Sequence, residues 1–443
     1  MDAQYFADTI QKDPAVSHKA TLHSHDSIMR ARKFLWDSLR EKLGTQDPPS
    51  QLAFLKRLKL TVQRDLVMTS IPVDSERDAF QIFETLNDRG LRLSVPDLLL
   101  NYLMREAQDK DRPAIREYWN QMLERMGTKI DTKIFIRHMW VSKYGDLKKT
   151  DLFTALKDLI KEKKIVSLDL AHTCHEECDN YATIVNANEV DLGKDAARHV
   201  ASLIGALDIQ PALPILLSTY KAFDLPDFDK VVKWVIVYAV RYAVFGNQDP
   251  SGMEKVLFEL ARTVRAKMDV PDKDKPAATK TCLAHIKDVL VKNAPSNEDT
   301  EKAAAKVVFE KDPSTAGYVL GRIANLIQSP TKEVVVDEVN VEHIYPRSPK
   351  KDEWGGKKNQ DVLRPYTWHI GNLTIYGKRI NNRSGNEEFS VKRDDYEKKS
   401  SVLMTNNIAK YYKDWDDNSI IKRAEYLAKQ AVAIWDFDNT SRV

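Results

Sequence analysis

Apolar residues recur at helical spacing from the N-terminus to about residue 325, and this periodicity makes helices the expected elements of that part of the chain. Side chains three and four residues apart are apolar in three clear segments: Ser27–Leu43, Ser94–Gln108 and Asp151–Lys164. That repeat is typical of an amphipathic helix. Ser94 stands directly before Val95-Pro96-Asp97, where a serine cap, an early proline and an acid all favour a helix start.

The most apolar run, residues 231–245, predicts a buried helix. It is interrupted by Lys233 and Arg241 and is too short to span a bilayer. Two polar, proline-containing stretches, residues 270–280 and 291–306, are the best linker candidates in the middle of the chain.

The composition of the sequence changes after Lys332, where β-branched residues, aromatics, glycines and asparagines become frequent. A second, mixed α/β unit is therefore predicted to begin near residue 330. It ends in a helix over Asn418–Trp435, which we expect to pack on that unit. The face predicted to pack is formed by Ile421, Ala424, Leu427, Ala428, Ala431 and Trp435.

Composition sets broad limits on what the chain does. A length of 443 residues suggests two or three domains, and a 42% hydrophobic content is enough for real cores. The 68 basic and 65 acidic residues nearly cancel, so any footprint for nucleic acid must be local. Three cysteines and an N-terminus without an apolar core indicate a reducing, cytoplasmic setting. The sequence has no Gly-x-Ser-x-Gly elbow, Rossmann fingerprint or P-loop spacing, so these enzyme classes have no support.

One stretch, "VVVDEVNVEHIYPRSP", joins β-branched residues to an adjacent acid and histidine and then to a proline. Successive side chains of a strand point to opposite faces, so Glu342 and His343 can meet at one site only where the strand ends. Pro346 gives a reason for the strand to end there.

The residues that follow complete a recognisable order. They are Asn372, the pair Asn381 and Asn382, and then Lys392 and Arg393. Together with Glu342-His343 they resemble the His-Asn-His nuclease family. Its ββα-metal motif has a strand with an acid-His pair, a loop with an asparagine, and a helix that supplies the last ligand.

The chemistry of phosphodiester hydrolysis explains these residue types. A histidine that is neutral near pH 7 suits a general base that activates water. A cation is needed to neutralise charge on the phosphate and the leaving oxygen. Carboxylate and amide oxygens are hard ligands suited to Mg²⁺.

The resemblance implies a role for each matching residue. His343 is assigned as general base, Glu342 and Asn381 as metal ligands, and Asn372 as a brace for the loop that carries the histidine. Asn382 is the alternative to Asn381 as metal ligand, because the sequence does not fix the phase of a helix to one residue. The family often has histidine at that last position, and the asparagine here favours Mg²⁺ or Mn²⁺ over Zn²⁺.

Contacts to DNA phosphates are predicted for the basic residues of the same region, and these would position the substrate without reading bases. The predicted nucleic-acid-binding residues are Lys378, Arg379, Arg383, Lys392 and Arg393, with His369 in a supporting part.

The resemblance extends over the whole chain. "VEHIYP", "IGNLTIYGKRINNRSGNEEFSVKRDDYEKKS" and "IIKRAEYLAKQAVAIW" look like the C-terminal nuclease domain of the GmrSD-type, modification-dependent restriction enzymes. "AFQIFETLNDRGLRLSVPDLLLNYLM" (Ala79–Met104) resembles the helical part of their N-terminal domain. There, Arg89 and Arg92 beside a helix start either hold an anion or are plain solvated arginines.

One element of that family is missing. Its N-terminal domain opens with a ParB-like segment whose Asp-Gly-Gln-Gln-Arg motif binds and hydrolyses nucleotide, and no such motif occurs here. We therefore expect this chain alone not to hydrolyse a nucleotide. Either it is a shortened form, or a separate partner protein supplies the segment.

The predicted fold is mainly α, with a large helical region followed by a small α+β ββα-metal nuclease domain and a packing C-terminal helix. The predicted domains are 1–145, the helical remainder of the ParB-like domain; 146–328, a helical middle domain; and 329–443, the nuclease domain.

The predicted function is a metal-dependent endonuclease that cuts foreign, including modified, DNA in anti-phage defence. The alternative is a non-catalytic DNA-binding or adaptor subunit that keeps the nuclease fold. Whether a partner protein supplies the missing segment and whether the chain forms a homodimer are both left open. No association with a membrane is expected. A cluster around Cys174 and Cys178 looks like a zinc site, but we expect a helical surface cluster there because no second ligand pair lies nearby.

Overall fold

The chain is mainly α-helical in a computed structural model, which confirms the predicted fold class. The structure describes residues 2–12, 22–44, 47–67, 94–145, 147, 152–310, 312–329, 340–376 and 385–443. The predicted turn at residues 87–90, with Arg89 and Arg92, lies outside these ranges, as do residues 334–339 of the β-branched stretch. In the part that is described, no helix is both long and apolar enough to cross a membrane.

The described residues form two compact units, one of residues 1–139 and 147–182 and the other of residues 140–146 and 183–443. The division between them falls within helices α6 and α8. The three-domain division at residues 145 and 328 stays a prediction. The first eight helices are α1 Asp2–Phe6, α2 His23–Leu43, α3 Pro48–Arg64, α4 Val95–Glu106, α5 Arg112–Met126, α6 Thr132–Tyr144, α7 Leu152–Lys161 and α8 Ser167–Val185.

The second unit continues with helices of 4 to 19 residues. These are α9 Glu189–Leu192, α10 Lys194–Ala201, α11 Leu213–Ala222, α12 Leu225–Ala239, α13 Pro250–Met268, α14 Lys275–Asn293, α15 Asn297–Ala304 and α16 Pro313–Gln328. π-helical turns at Ala7–Lys12, Ser202–Ala206 and Val240–Phe245 extend or follow helices.

In the described residues, this unit also contains a two-stranded antiparallel sheet and four more helices. They are β1 Asn340–His343, α17 Gly356–Leu363, β2 Leu373–Tyr376, α18 Phe389–Lys399, α19 Leu403–Tyr411 and α20 Asp417–Ile434. α16 packs against both strands, α19 and α20, and α20 packs against the 3-10 turn Ile370–Asn372 that leads into β2. The sheet is thus enclosed by helices.

Helix starts follow the expected capping chemistry. The Ser94 hydroxyl accepts from the backbone N–H of Asp97 at 3.4 Å, as the sequence predicts. The carboxylates of Asp224 and Asp416 cap α12 and α20 in the same way, at 2.9 and 2.8 Å. These bonds satisfy backbone donors that a helix leaves free at its first turn.

The apolar run of residues 231–245 is a buried helix, as predicted. Val231, Val235 and Ile236 of α12 are fully buried. Arg241 continues this element, and its Nε donates to the carbonyl of Trp435 at 2.6 Å. The charged side chain of Arg241 therefore links this helical run to the C-terminal end of α20 by a hydrogen bond.

The two predicted linkers are largely helical. α14 begins at Lys275 within the first stretch, and α14 and α15 cover most of the second, with only residues 294–296 between them. Polar composition indicated loops, but these helices expose wide solvent faces, so composition alone was misleading.

The cysteine cluster is part of a core and not a surface feature. Cys174 and Cys178 are buried on α8, and the Cys178 thiol donates to the carbonyl of His175 at 3.0 Å. Burial raises the pKa of Cys178 to about 12, so the thiol stays protonated. No group of three or more His, Cys, Asp or Glu side chains in the described ranges is placed to hold a metal ion.

The C-terminal helix packs on the unit that contains the sheet, but its predicted face was wrong by one residue at its start. Ile420 is fully buried and Ile421 is 40% exposed. Ile420 lies four residues before Ala424 and so continues the Ala424, Leu427 and Ala431 stripe, whereas Ile421 lies about 100° away around the helix.

This phase can be tested with a matched pair of variants. Ile420→Ala removes fully buried methyl groups and leaves a cavity, so we expect it to lower the free energy of unfolding by about 2–5 kcal/mol. Ile421→Ala on the exposed face is expected to change it by about 0.5 kcal/mol or less. Equal losses in chemical denaturation would contradict the assigned face.

Candidate active site

The acid-His pair lies at the end of β1, where the strand register is set by β2. Glu342 is opposite Thr374 and His343 is opposite Leu373. The two side chains follow the alternation of a strand: Glu342 is 4% exposed and faces Lys392, whereas the His343 ring contacts Trp368. The strand ends at His343, as the sequence predicts, but this ending does not bring the two side chains to one face.

Asn372 extends the ladder beyond the last strand residue. Its backbone carbonyl accepts from the N–H of Ile344 at 2.9 Å. Its side-chain oxygen accepts from the N–H of Tyr345 at 2.8 Å, and its Nδ2 donates to the carbonyl of Tyr345 at 3.0 Å. The amide therefore replaces a backbone partner for Tyr345 just before Pro346 turns the chain.

Two further bonds use the remaining hydrogen-bonding capacity of this amide. Asn372 Nδ2 also donates to the carbonyl of Thr367 at 3.0 Å, and Trp415 Nε1 donates to Asn372 Oδ1 at 3.0 Å. A side-chain amide offers two donors and two acceptor lone pairs, and all are used. Asn372 is fully buried, so it orders the site and does not face solvent.

Gly371 lets the backbone beside Asn372 approach α20 closely. A Cβ built at this position would lie 2.1 Å from the carbonyl oxygen of Ile420. Only glycine fits such an approach without moving the backbone. The contact fixes the loop before β2 against the C-terminal helix.

His343 is held in a partly enclosed aromatic setting. Its ring lies edge-to-face with Trp368 at a centroid distance of 4.4 Å, and the Arg347 guanidinium lies over the same tryptophan, 5.4 Å from its ring centroid. Burial, with the nearby charges of Arg347 and Lys392, lowers the pKa of His343 to about 4. Its Nε2 has no hydrogen-bond partner among the described residues. The imidazole is thus neutral at pH 7 and retains a free nitrogen, which is what a proton acceptor requires.

Glu342 forms a buried ion pair. Lys392 Nζ donates to Glu342 Oε1 at 2.6 Å and to the carbonyl of His343 at 2.7 Å, and Tyr396 Oη donates to the same carboxylate oxygen at 3.4 Å. Burial raises the pKa of Glu342 and lowers the pKa of Lys392, and the attraction between them opposes both shifts. The ammonium lies against the carboxylate that was predicted to bind a metal.

The position of Lys392 differs from the predicted phosphate contact. Its side chain is fully buried on α18, so the ammonium cannot reach a DNA backbone from where it lies. His369 is also an internal residue, 8% exposed, whose Nδ1 accepts from the N–H of Gly371 at 3.2 Å. Burial lowers the pKa of His369, so it supplies no positive charge for a phosphate.

Arg393 is half-buried and nearer to solvent. Its Nη1 donates to the carbonyl of Lys413 at 3.1 Å. The remaining predicted site residues lie outside the described ranges, and their roles stay predictions; they are Lys378, Arg379, Asn381, Asn382 and Arg383.

Comparison with known proteins identifies the region that holds this arrangement. Residues 294–430 match the family of GmrSD restriction endonucleases, C-terminal domain. We refer to residues 294–430 as the GmrSD domain after this match. The match confirms the resemblance for the C-terminal part of the sequence, and it covers less than a third of the 443 residues. The resemblance of Ala79–Met104 stays a prediction. No curated protein matches the chain.

The GmrSD domain includes the helices that pack around the sheet. The family match begins at residue 294, ahead of the predicted boundary at residue 329, and so includes α15 and α16. Val308 pairs with His369 in an isolated bridge, and the N–H of Ile370 donates to the carbonyl of Val307 at 3.0 Å. The segment before β1 therefore supports the loop that carries Asn372. The family supports a nuclease in general.

Sequence reasoning missed two residues beside His343 in the GmrSD domain. Arg347 follows the histidine by four residues in "EHIYPR", but a lone arginine after a proline carries no distinctive signal. Trp368 directly precedes His369, and a single tryptophan carries no distinctive signal for a catalytic site. The buried position of Lys392 did have a signal, since Phe389, Lys392 and Tyr396 share one helical face.

The buried ion pair yields a stability prediction. Lys392→Met leaves the Glu342 carboxylate buried without its partner, so we expect a loss of about 3–5 kcal/mol in the free energy of unfolding. The matched control is Lys398→Met on the same helix, where the lysine is 65% exposed; its change should be within about 0.5 kcal/mol. Chemical denaturation of both variants provides the measurement. An unchanged free energy of unfolding in Lys392→Met would contradict the buried ion pair.

Proposed function

We propose that this chain is a metal-dependent DNA endonuclease that hydrolyses phosphodiester bonds of foreign DNA in anti-phage defence. One observation carries the proposal. Within the GmrSD domain, a neutral His343 lies at the end of β1, and its buried Nε2 has no hydrogen-bond partner among the residues that the structure describes. A restriction endonuclease domain acts on DNA, and a positioned proton acceptor is the group that hydrolysis by water needs.

In the proposed mechanism, His343 Nε2 accepts a proton from the attacking water as the water oxygen bonds to phosphorus. The bond between phosphorus and the leaving oxygen breaks in the same displacement, and the leaving oxygen takes a proton from solvent. The amide of Asn372 positions the imidazole indirectly, by fixing the backbone of Tyr345 two residues later. The exposed Arg347 guanidinium, close enough to lower the pKa of His343, attracts the phosphate toward the histidine.

We propose Mg²⁺ or Mn²⁺ as the cofactor, with Glu342 and either Asn381 or Asn382 as ligands. A divalent ion would supply charge neutralisation at the phosphate. The described donors do not fit the ion by themselves, because Glu342 is bonded to Lys392 and the amide of Asn372 is saturated. The two asparagines that would complete the set lie outside the described residues.

DNA is proposed to lie along the basic residues Lys378, Arg379, Arg383 and Arg393, with Arg347 added. We also propose modified DNA as a target and a partner protein that supplies the missing nucleotide-binding segment. A homodimer would allow cleavage of both strands. The proposed setting is the cytoplasm.

Cleavage by His343 is tested with supercoiled plasmid. We expect His343→Ala to abolish cleavage in Mg²⁺ or Mn²⁺ while leaving the helical circular dichroism spectrum unchanged. The control is His285→Ala on α14, which lies outside the proposed site and should retain activity. Chelation with EDTA should stop the wild-type reaction, and added Mg²⁺ should restore it. Cleavage at the wild-type rate by His343→Ala would rule out the assigned base.

The second candidate is a non-catalytic DNA-binding or adaptor subunit. It is favoured by the Glu342–Lys392 pair, in which a lysine already neutralises the carboxylate that a metal would need. If the wild-type protein binds DNA but never cuts it with any divalent metal, with or without the partner protein, this function replaces the first.

Salt dependence tests the proposed DNA contacts. Phosphate contacts release counterions, so affinity for duplex DNA should fall steeply as salt rises. We expect Arg393→Ala to weaken binding equally on different sequences and to reduce the slope of log affinity against log salt by about one. Lys292→Ala, an exposed lysine on α14, is the control. A slope unchanged in Arg393→Ala would remove this residue from the interface.

A further inference from the structure

A cavity of about 320 Å³ lies in the GmrSD domain, and none of its lining residues belongs to the candidate active site. The volume is at the small end of the range for ligand sites. α19 and the residue after it contribute one wall, and α20 contributes the other. The lining residues are Met404, Asn407, Ile408, Tyr411, Tyr412, Arg423, Tyr426 and Leu427.

Arg423 gives this cavity a positive charge without an acidic partner. It is 3% exposed, and its Nη1 donates to the carbonyls of Gly371 and Leu373 at 2.8 and 2.7 Å. Its Nη2 has no hydrogen-bond partner, and the guanidinium has no carboxylate ion pair, among residues that the structure describes. Burial lowers the pKa of Arg423 to about 10, so the group is still charged at pH 7. A buried cation without a counter-charge is costly, and an anion beside it would lower that cost.

Three tyrosines, Tyr411, Tyr412 and Tyr426, line this cavity together with Arg423. The phenols of Tyr412 and Tyr426 help to keep the pKa of Arg423 from falling further. Tyr411 is 66% exposed and Tyr426 is 43% exposed, so their rings are accessible. A tyrosine offers an O–H donor and an aromatic face together.

We propose that this cavity binds a nucleotide. The base stacks on the exposed ring of Tyr411, and the phosphate oxygens accept hydrogen bonds from the tyrosine O–H groups. The positive charge of Arg423, buried in the cavity wall, attracts the phosphate. Lys410, with Nζ 5.3 Å from the Tyr411 ring centroid, adds positive charge at the rim. The nucleotide comes either from solution or from a DNA strand. This inference does not rest on the nuclease activity.

The test is isothermal titration calorimetry of the full chain in EDTA, so that no DNA is cut. The probes are dAMP, deoxyadenosine, inorganic phosphate and a single-stranded hexanucleotide. We expect dAMP or the hexanucleotide to bind at least about tenfold more tightly than deoxyadenosine, because only these present charged oxygens to the guanidinium and the phenols. Phosphate alone should also bind more weakly, since it has no base to stack.

Variants place the binding in this cavity. Tyr411→Ala should weaken it about tenfold through loss of stacking, and Tyr426→Phe, which keeps the ring, about fivefold through loss of one O–H. Ile421→Ala, exposed on α20 and outside the cavity, should bind as the wild type does. Arg423 is left intact because its Nη1 anchors the loop before β2.

The outcomes separate the two sources. A loss of dAMP affinity in Tyr411→Ala assigns a free nucleotide, and a loss confined to the hexanucleotide assigns a DNA strand. The proposal is overturned if neither probe binds the wild-type protein, or if both tyrosine variants bind the probes as tightly as the wild type. DNA cleavage is absent from every arm, so this result is independent of the fate of His343.

Discussion

The side-chain amide of Asn372 is the interaction on which the rest of the GmrSD domain depends. It takes the place of a strand backbone and bonds both the N–H and the carbonyl of Tyr345. A chain that turns at a proline loses its ladder partner at that point, and buried backbone groups without partners are costly. The amide removes this cost and lets β1 end at His343 without fraying.

Several buried charges and one glycine hold the same strand end from other sides. Lys392 bonds the carbonyl of His343 and the Glu342 carboxylate, and Arg423 bonds carbonyls on both sides of Asn372. Gly371 permits the close approach of α20 that brings Arg423 to these carbonyls. Such a network is worth most when every member is satisfied. Among the described residues it leaves the buried atoms His343 Nε2 and Arg423 Nη2 without partners, and these two residues belong to the proposed active site and the proposed nucleotide site.

The sequence predicted helices α2, α4, α7, α12 and α20, because apolar periodicity and capping residues are local signals. It predicted the end of β1 from the alternation of Glu342 and His343. Buried charged side chains were harder to predict from the sequence. A lysine or arginine on a helix is normally solvated, so Lys392 was predicted at the DNA interface, and nothing local shows that a carboxylate from another element receives it. The phase of α20 at Ile420 and the buried cysteines of α8 were missed for a related reason, since which face is covered depends on tertiary packing.

Amide hydrogen exchange at Tyr345 tests the central claim most directly. Its N–H donates to the side chain of Asn372, whereas the neighbouring N–H of Ile344 donates to the backbone carbonyl of Asn372. In the wild-type protein both amides should exchange slowly. In Asn372→Ala the Tyr345 amide should lose its protection to a much greater degree than the Ile344 amide, because only the side-chain acceptor is removed. Fast exchange at Tyr345 in the wild-type protein, or an unchanged rate in the variant, would contradict the account.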